Sequence, residues 1–299
     1  MKKAQTKQNF YAMLAALIWG TAFVAQSIAA DSVPALEFTS ARSGVAVIFL
    51  TILCLIRGFH RKKTGLPMRV TPKGKDLVKG GILCGTALMA AASLQQKGIE
   101  TTTVGKASFI TTLYIVLVPL FGILLKKKPP KIIWLCVALA VAGLYCLCMT
   151  ESFTIAPGDI FVLLCAFCFT TQILLIDHFT QSVDGIELSC VQFATVTVLT
   201  GIGSLLFENP TLSALSTAVF PVLYVGIFSS GIAYTLQILA QKDSEPAVIS
   251  LLLSLESVFG TLGAAIILKE HLSAKEYIGC LLMMTAVILA QLPDHQEKK

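Results

Sequence analysis

Glu256 sits about ten residues into an apolar run, within Leu255-Glu256-Ser257-Val258-Phe259, where it is the only charge. At ~1.5 Å per residue it lies ~15 Å along a helix, near the midplane of a bilayer if that run spans one. An ionised side chain at that depth costs ~2.5–3.5 kcal/mol on insertion scales, so it needs a wet cavity or a partner. Two chemistries are open to it. The carboxylate could take up and release a proton, or it could be the counter-charge for a substrate amine. A structural reading stands beside them, in which a protonated Glu256 bonds to nearby backbone and locks its helix. Arg42, about nine residues into another apolar run, brings the opposite sign. A guanidinium forks onto carboxylate or phosphate. Its structural alternatives are a pair with Glu37 or helix carbonyls, or snorkelling to the interface. Lys106 is a third charge candidate near the start of its run, drawing anions to a mouth or solvated at the interface. Glu37 and Glu187 read as interfacial, close to helix ends.

Helical phase groups the uncharged candidates. At roughly 100° per residue, Ala12, Ala15, Trp19, Ala22, Phe23 and Gln26 share one helix face. Cys165, Phe169 and Gln172 share another. Gly81, Gly85, Ala92, Gln95 and Gln96 form a third, and Gly226, Ser230, Ala233, Gln237 and Gln241 a fourth. Small residues four apart, such as Gly81 and Gly85, let helix backbones approach closely in lipid. A buried Gln amide is costly without partners, so repeated Gln beside aromatics points to a wet interior. Trp19, Gln26, Gln95, Tyr114, Phe169, Gln172, Tyr234, Gln237 and Glu256 are therefore the candidate substrate-cavity residues. Packing is the bland alternative for each.

Nothing in the sequence assembles a catalytic or metal-binding set. His60, His178, His271 and His295 fall at helix ends, in loops or in the tail, and no HExxH occurs. The nine cysteines all lie in apolar runs, where Cys behaves as a small hydrophobe. Cys165-x-x-Cys168 is a lone CxxC without a second pair. No GxxxxGK[ST] phosphate loop is present. No enzyme activity, cofactor or metal is expected.

The elements that must hold these side chains are membrane helices. Only 13% of the 299 residues are charged and 55% are hydrophobic, with a mean hydropathy of +0.79. Soluble domains carry roughly 25% charged residues. Ten apolar runs of helix-spanning length stand between the charges, at about 9–30, 34–57, 76–97, 103–125, 131–150, 157–178, 186–207, 217–241, 246–268 and 274–292. They lack the strict alternation of a β-barrel. The first run is too long for a signal peptide and more runs come after it. Lys2, Lys3 and Lys7, eight basic residues from Arg57 to Lys79, and Lys126, Lys127, Lys128 and Lys131 all fall on one side. The opposite connections around 31–34, 98–102, 150–157 and 207–217 have no Lys or Arg. By the positive-inside rule the N- and C-termini are cytoplasmic, in a multi-pass cell-membrane protein. The net charge of +6 thus faces lipid headgroups and sets topology rather than binding nucleic acid.

The chain also repeats itself. A shift of 150 carries Trp19 onto Phe169, Glu37 onto Glu187 and Arg42 onto Gln192. A shift of 142 carries Ser108 onto Ser250, Thr112 onto Ser254, Tyr114 onto Glu256 and Lys127 onto Lys269. Two five-helix units, residues 1–150 and 151–299, are expected, and an odd helix count inverts the second relative to the first. Such symmetry suits a transporter that opens a midplane site to either side.

Ile18-Trp19-Gly20-Thr21-Ala22-Phe23, Arg42, Lys106-Ala107-Ser108-Phe109-Ile110-Thr111, Val118-Pro119-Leu120, Leu255 to Phe259, Lys269-Glu270-His271-Leu272 and Ile278-Gly279 resemble the EamA family of the drug/metabolite transporter superfamily. The likeness runs over essentially the whole chain, with Ser257 standing where the family usually has Pro. It implies ten helices, a central cavity between halves, and export of amino acids or related metabolites. Proton coupling is a hypothesis read from Glu256. A multidrug or other metabolite carrier or importer of the same fold is the alternative; a membrane-embedded enzyme and a channel or lipid-handling protein are further classes. The expected partners are a small-molecule substrate and the lipid bilayer.

Overall fold

The computed structural model describes residues 2–68, 70–72, 74–126, 129–148, 156–242, 244–268 and 273–291. Lys127, the 269–272 motif with His271, most of the 150–157 connection and the C-terminal residues 292–299 lie outside them. Among the described residues all regular structure is helical. Among the described residues seven helical stretches are long and apolar enough to cross a membrane: Gln5–Ala30, Ala35–Lys63, Gly74–Ile99, Gly105–Leu124, Pro157–Phe179, Gly185–Phe207 and Val219–Gln241. Ile132–Leu147 and Pro246–Leu262 are shorter apolar helices. The outer surface is greasy, with Ile48, Ile56, Leu205, Phe207 and Leu281 all exposed, while polar side chains such as Gln96, Gln172, Gln192 and Gln241 are fully buried. Lipid as solvent accounts for that inversion, because a bilayer core offers polar groups no hydrogen bonds.

The long helices are α1 (Lys2–Ala30), α2 (Ala35–Lys63), α3 (Gly74–Ile99), α6 (Ile132–Cys148), α7 (Pro157–Phe179), α8 (Gly185–Phe207) and α14 (Ala274–Ala290). The run at 103–125, read as one helix, is α4 (Val104–Thr112) followed by α5 (Tyr114–Leu124). The run at 246–268 is α12 (Pro246–Leu253) followed by α13 (Glu256–Leu268). Both interruptions are tightened turns: Leu113 N–H donates to Ile110 O and Leu255 N–H to Leu252 O, three residues back. Hydroxyls feed these turns, with Thr112 donating to Ser108 O at 2.7 Å and Ser254 to Leu251 O at 2.7 Å. Side-chain bonds of that kind compete with the helix ladder and bend it. The breaks sit at the same place under the 142-residue shift, immediately before Tyr114 and Glu256. The second break needs no Pro at 257.

The run at 217–241 is also not one α-helix. A short α9 (Leu212–Thr217) leads to α10 (Val219–Tyr224), a π-helix over Val225–Ala233, and α11 (Tyr234–Gln241). The wider π turn re-phases every side chain after it.

Packing is reciprocal across the chain. α1 lies against α10 to α13, including the π-helix, while α7 lies against α3, α4 and α5; α2 pairs with α8, and α6 with α14. Close approach is set by small residues. A Cβ on Gly81 would overlap Val191 Cγ1, and one on Gly85 would lie 2.7 Å from Gln192 O, so α3 packs tightly on α8. A Cβ on Gly20 would lie 2.7 Å from both Glu256 O and Gly260 N, backbone atoms that cannot swing aside. Gly20→Ala is expected to destabilise the fold by about 1–3 kcal/mol through forced separation of α1 from α13. A thermal melt of the detergent-solubilised protein checks it; an unchanged midpoint would mean the two helices are not held at that distance.

The two ends of the bundle are tied by carboxylates that accept backbone N–H groups. At the end holding the α1 N-terminus, Glu187 accepts from Val70 at 2.8 Å and Thr71 at 3.0 Å. Asp184 caps α8 and takes a two-pronged contact from Arg57 at 3.0 and 3.2 Å. Burial pushes the Asp184 carboxyl up, but the Arg57 guanidinium and the helix N–H groups outweigh it and hold it below the usual range. At the opposite end Glu208 accepts from Leu36 and Glu37, and Glu37 accepts from Thr211. Glu37 and Glu187 thus sit at helix ends as capping groups.

Candidate functional site

Where the broken and re-phased helices meet α1, α2, α3 and α7, the interior opens into a pocket of about 470 Å³. Its charged walls are Glu256 and Arg42, 5% and 3% exposed. Glu256 opens α13, so its carboxylate lies in the first turn, where the helix dipole favours negative charge. Thr112 donates to Glu256 Oε1 at 3.3 Å. Tyr114, opening α5 in the corresponding place, lines the same pocket.

Arg42 pairs with neither carboxylate near it in sequence or space. Among the described residues the ion pairs are Arg57–Asp184, Lys97–Glu100 and Lys106–Asp159. The Arg42 guanidinium stands 5.7 Å from the Phe38 ring centroid, and its Nε has no acceptor. The expected pairing with Glu37 is absent, because Glu37 caps Thr211 instead. Snorkelling is also absent, since Arg42 is buried and lines the pocket. A buried guanidinium with an open N–H is costly unless an anion completes it.

The aromatic and amide candidates mostly converge here. Trp19, Gln26, Gln95, Phe169, Tyr234 and Gln237 line the pocket. Tyr234 is held by edge-on contacts to Trp19 and Phe193, with centroids 4.8 and 5.5 Å apart. Gln172 lies one layer behind: it is fully buried, accepts from Gln237 at 3.2 Å and donates to Gln192 at 3.2 Å. It orients Gln237 rather than facing the cavity. Gln95 donates to Thr111 at 3.2 Å. Trp19 Nε1, Tyr114 Oη, Gln26 Oε1 and Gln237 Oε1 are buried without hydrogen-bond partners. With Arg42 Nε they make five unsatisfied polar atoms on the wall of one pocket. Buried polar atoms in folded proteins are nearly always paired, so this concentration points to a ligand or water that pairs them.

Lys106 is elsewhere. Its ammonium lies 4.0 Å from Asp159 Oδ2, with both side chains largely buried, so it is neither a solvated interfacial lysine nor part of the pocket wall. Asp159 also accepts from the Thr102 hydroxyl and from Ala156 N–H, which ties Lys106 into the cap of α7.

The pocket also holds residues the sequence did not single out: Thr111, Ile173, Ser229 and Leu253. Ser229 was obscured by the π-helix, which brings it to the pocket where regular α phase favours Ser230. Ser230 is fully buried and off the pocket. Thr111 stands beside the Ser108/Thr112 stripe and faces the cavity because α4 ends one residue later.

The model of a family described as EamA-like transporter family matches residues 6–149 and again 156–292. An uncharacterized transporter of Archaeoglobus fulgidus is 30% identical over 280 residues, covering 93% of this chain and 84% of its own. A solved crystal structure superposes with a TM-score of 0.79, over 98% of this chain and 99% of that one, at 17% sequence identity. That last likeness is one of fold.

Proposed function

On the premise that this chain belongs to the EamA-like transporter family of the drug/metabolite transporter superfamily, we propose that it exports a small zwitterion of the amino-acid type. The protein is a multi-pass membrane transporter; its substrate class, its direction and its coupling are our reading. One observation carries it: a single buried pocket presents Arg42 and Glu256 unpaired with each other, beside open donors on Trp19 and Tyr114 and open acceptors on Gln26 and Gln237. A carboxylate suits the Arg42 fork. An ammonium suits Glu256 and the Gln26 and Gln237 carbonyls. Phe23, Phe169, Ile173 and Leu253 leave an apolar wall for a side chain.

Alternating access belongs to the same reading. The chain forms ten spans as two inverted five-helix halves, 1–150 and 151–299, with both termini cytoplasmic. Supporting this are the matched breaks before Tyr114 and Glu256, the reciprocal packing of α1 and α7, and the basic residues gathered at one end. Glu256, exchanging the substrate amine for a proton, couples export to the proton gradient. A Ser108–Ser257 hydroxyl bond at 2.8 Å, one turn from each break, links the two broken helices and would part as the halves rock.

Counterflow decides the substrate class. Liposomes holding the purified protein and preloaded with unlabelled amino acids are expected to accumulate the matching radiolabelled amino acid transiently and saturably. Uptake restricted to amines or carboxylates alone would overturn the zwitterion reading, and non-saturable flux without counterflow would replace a carrier with a channel.

A further inference from the structure

We propose that the groove between α2, α8 and α9 binds a phospholipid with a primary-amine headgroup. The groove measures about 660 Å³ and lies at the end of the bundle away from the basic residues. Glu37 and Ser204 form its floor, and Leu205, Leu212 and Leu215 form its walls.

The two ends of the bundle differ in how their paired glutamates are satisfied. At the basic end Glu187 uses both oxygens, one on Val70 N–H and one on Thr71 N–H. Glu37 is its counterpart 150 residues earlier, and its Oε1 accepts from Thr211 N–H at 2.9 Å. The residue before Thr211 is Pro210, which has no N–H to give. Glu37 Oε2 is therefore left without a donor, on a side chain only 4% exposed. Ser204 Oγ, on a residue 3% exposed, lacks a partner as well. Two buried open polar atoms on one floor call for a ligand that supplies N–H groups.

The chemistry selects the headgroup. An ethanolamine ammonium brings three N–H donors and a positive charge, whereas a choline headgroup has no N–H. Glu208 stands close by, holding the α2 N-terminus, and the 207–217 connection has no Lys or Arg. That field repels headgroups of net negative charge. The walls select the rest of the molecule: Leu205 and Leu212 are 75% and 87% exposed, continuous with the apolar outer surface, as acyl chains require.

Native mass spectrometry of the purified full chain tests this, with phosphatidylethanolamine, phosphatidylcholine and phosphatidylglycerol offered in turn. The wild type is expected to retain phosphatidylethanolamine about tenfold better than either other lipid. Glu37→Gln keeps an acceptor for Thr211 N–H but loses the charge, and should abolish that preference. Pro210→Ala restores the missing backbone donor without touching the carboxylate, and should abolish it too. Should one variant fail to fold, the other decides. Equal retention of phosphatidylcholine, or an undiminished preference in Glu37→Gln, overturns the proposal. Displacement of the lipid by millimolar free ethanolamine also overturns it, by assigning the groove to soluble amines. Counterflow by the central pocket does not enter any of these readouts.

Discussion

Arg42→Gln is expected to raise the half-saturating concentration for counterflow by about 100–5,000-fold. The magnitude rests on the ~3–5 kcal/mol lost when one member of a buried charge pair is removed and the other stays. In the proposed reading the other member is the substrate carboxylate, which would sit in the pocket facing a neutral amide. The fold should survive, because the sequence already carries Gln192 at the corresponding place in the second half, fully buried and hydrogen-bonded. Arg42→Lys should recover only part of the loss, since an ammonium cannot form the planar fork. The discriminating result is a melting temperature near wild type together with the raised half-saturation. A large fall in melting temperature with unaltered half-saturation would instead make Arg42 a structural cation stacked on Phe38.

Glu256→Gln has the second largest expected effect, a fall of about 10–100-fold in counterflow rate. A hydrogen bond to a charged group contributes ~1.5–3 kcal/mol, and the neutral amide keeps the shape while giving up the charge. Glu256 is the only carboxylate lining the pocket among the described residues. If export is proton-driven as proposed, the variant should also lose its pH dependence, while exchange that needs no proton keeps a flat profile. Flux measured across a pH series in liposomes checks both. Unchanged flux with an unchanged profile would remove Glu256 from the mechanism and leave it as the residue that opens α13.

What sequence reasoning could reach depended on helix regularity. α1 is unbroken, and the face read at 3.6-residue spacing, Trp19, Ala22, Phe23 and Gln26, is the face that lines the pocket. Glu256 and Arg42 stood out because an isolated charge in an apolar run needs a reason. Gln172 was grouped correctly on its helix face, yet phase cannot tell a lining residue from one a layer behind it. The breaks at Leu113 and Ser254, and the π turn that favours Ser229 over Ser230, come from hydroxyl bonds and wider winding that hydropathy does not register. Lys106 shows a different limit: it stands against Asp159, a residue remote from it in sequence.

The crossed placement of α1 and α7 bears on how the protein is made. A ribosome delivers α1 to the membrane first and α13 near the end, so the first helix meets α3 and α4 early and most of its other neighbours late. Until then its polar face, with Trp19 and Gln26, lacks the wall that α10 to α13 supply. The pocket face of α1 is completed by the π-helix and α11 to α13, so the pocket cannot close before those late helices are in place. Assembly of this transporter is a late event, reached only when nearly all of the polypeptide has been inserted.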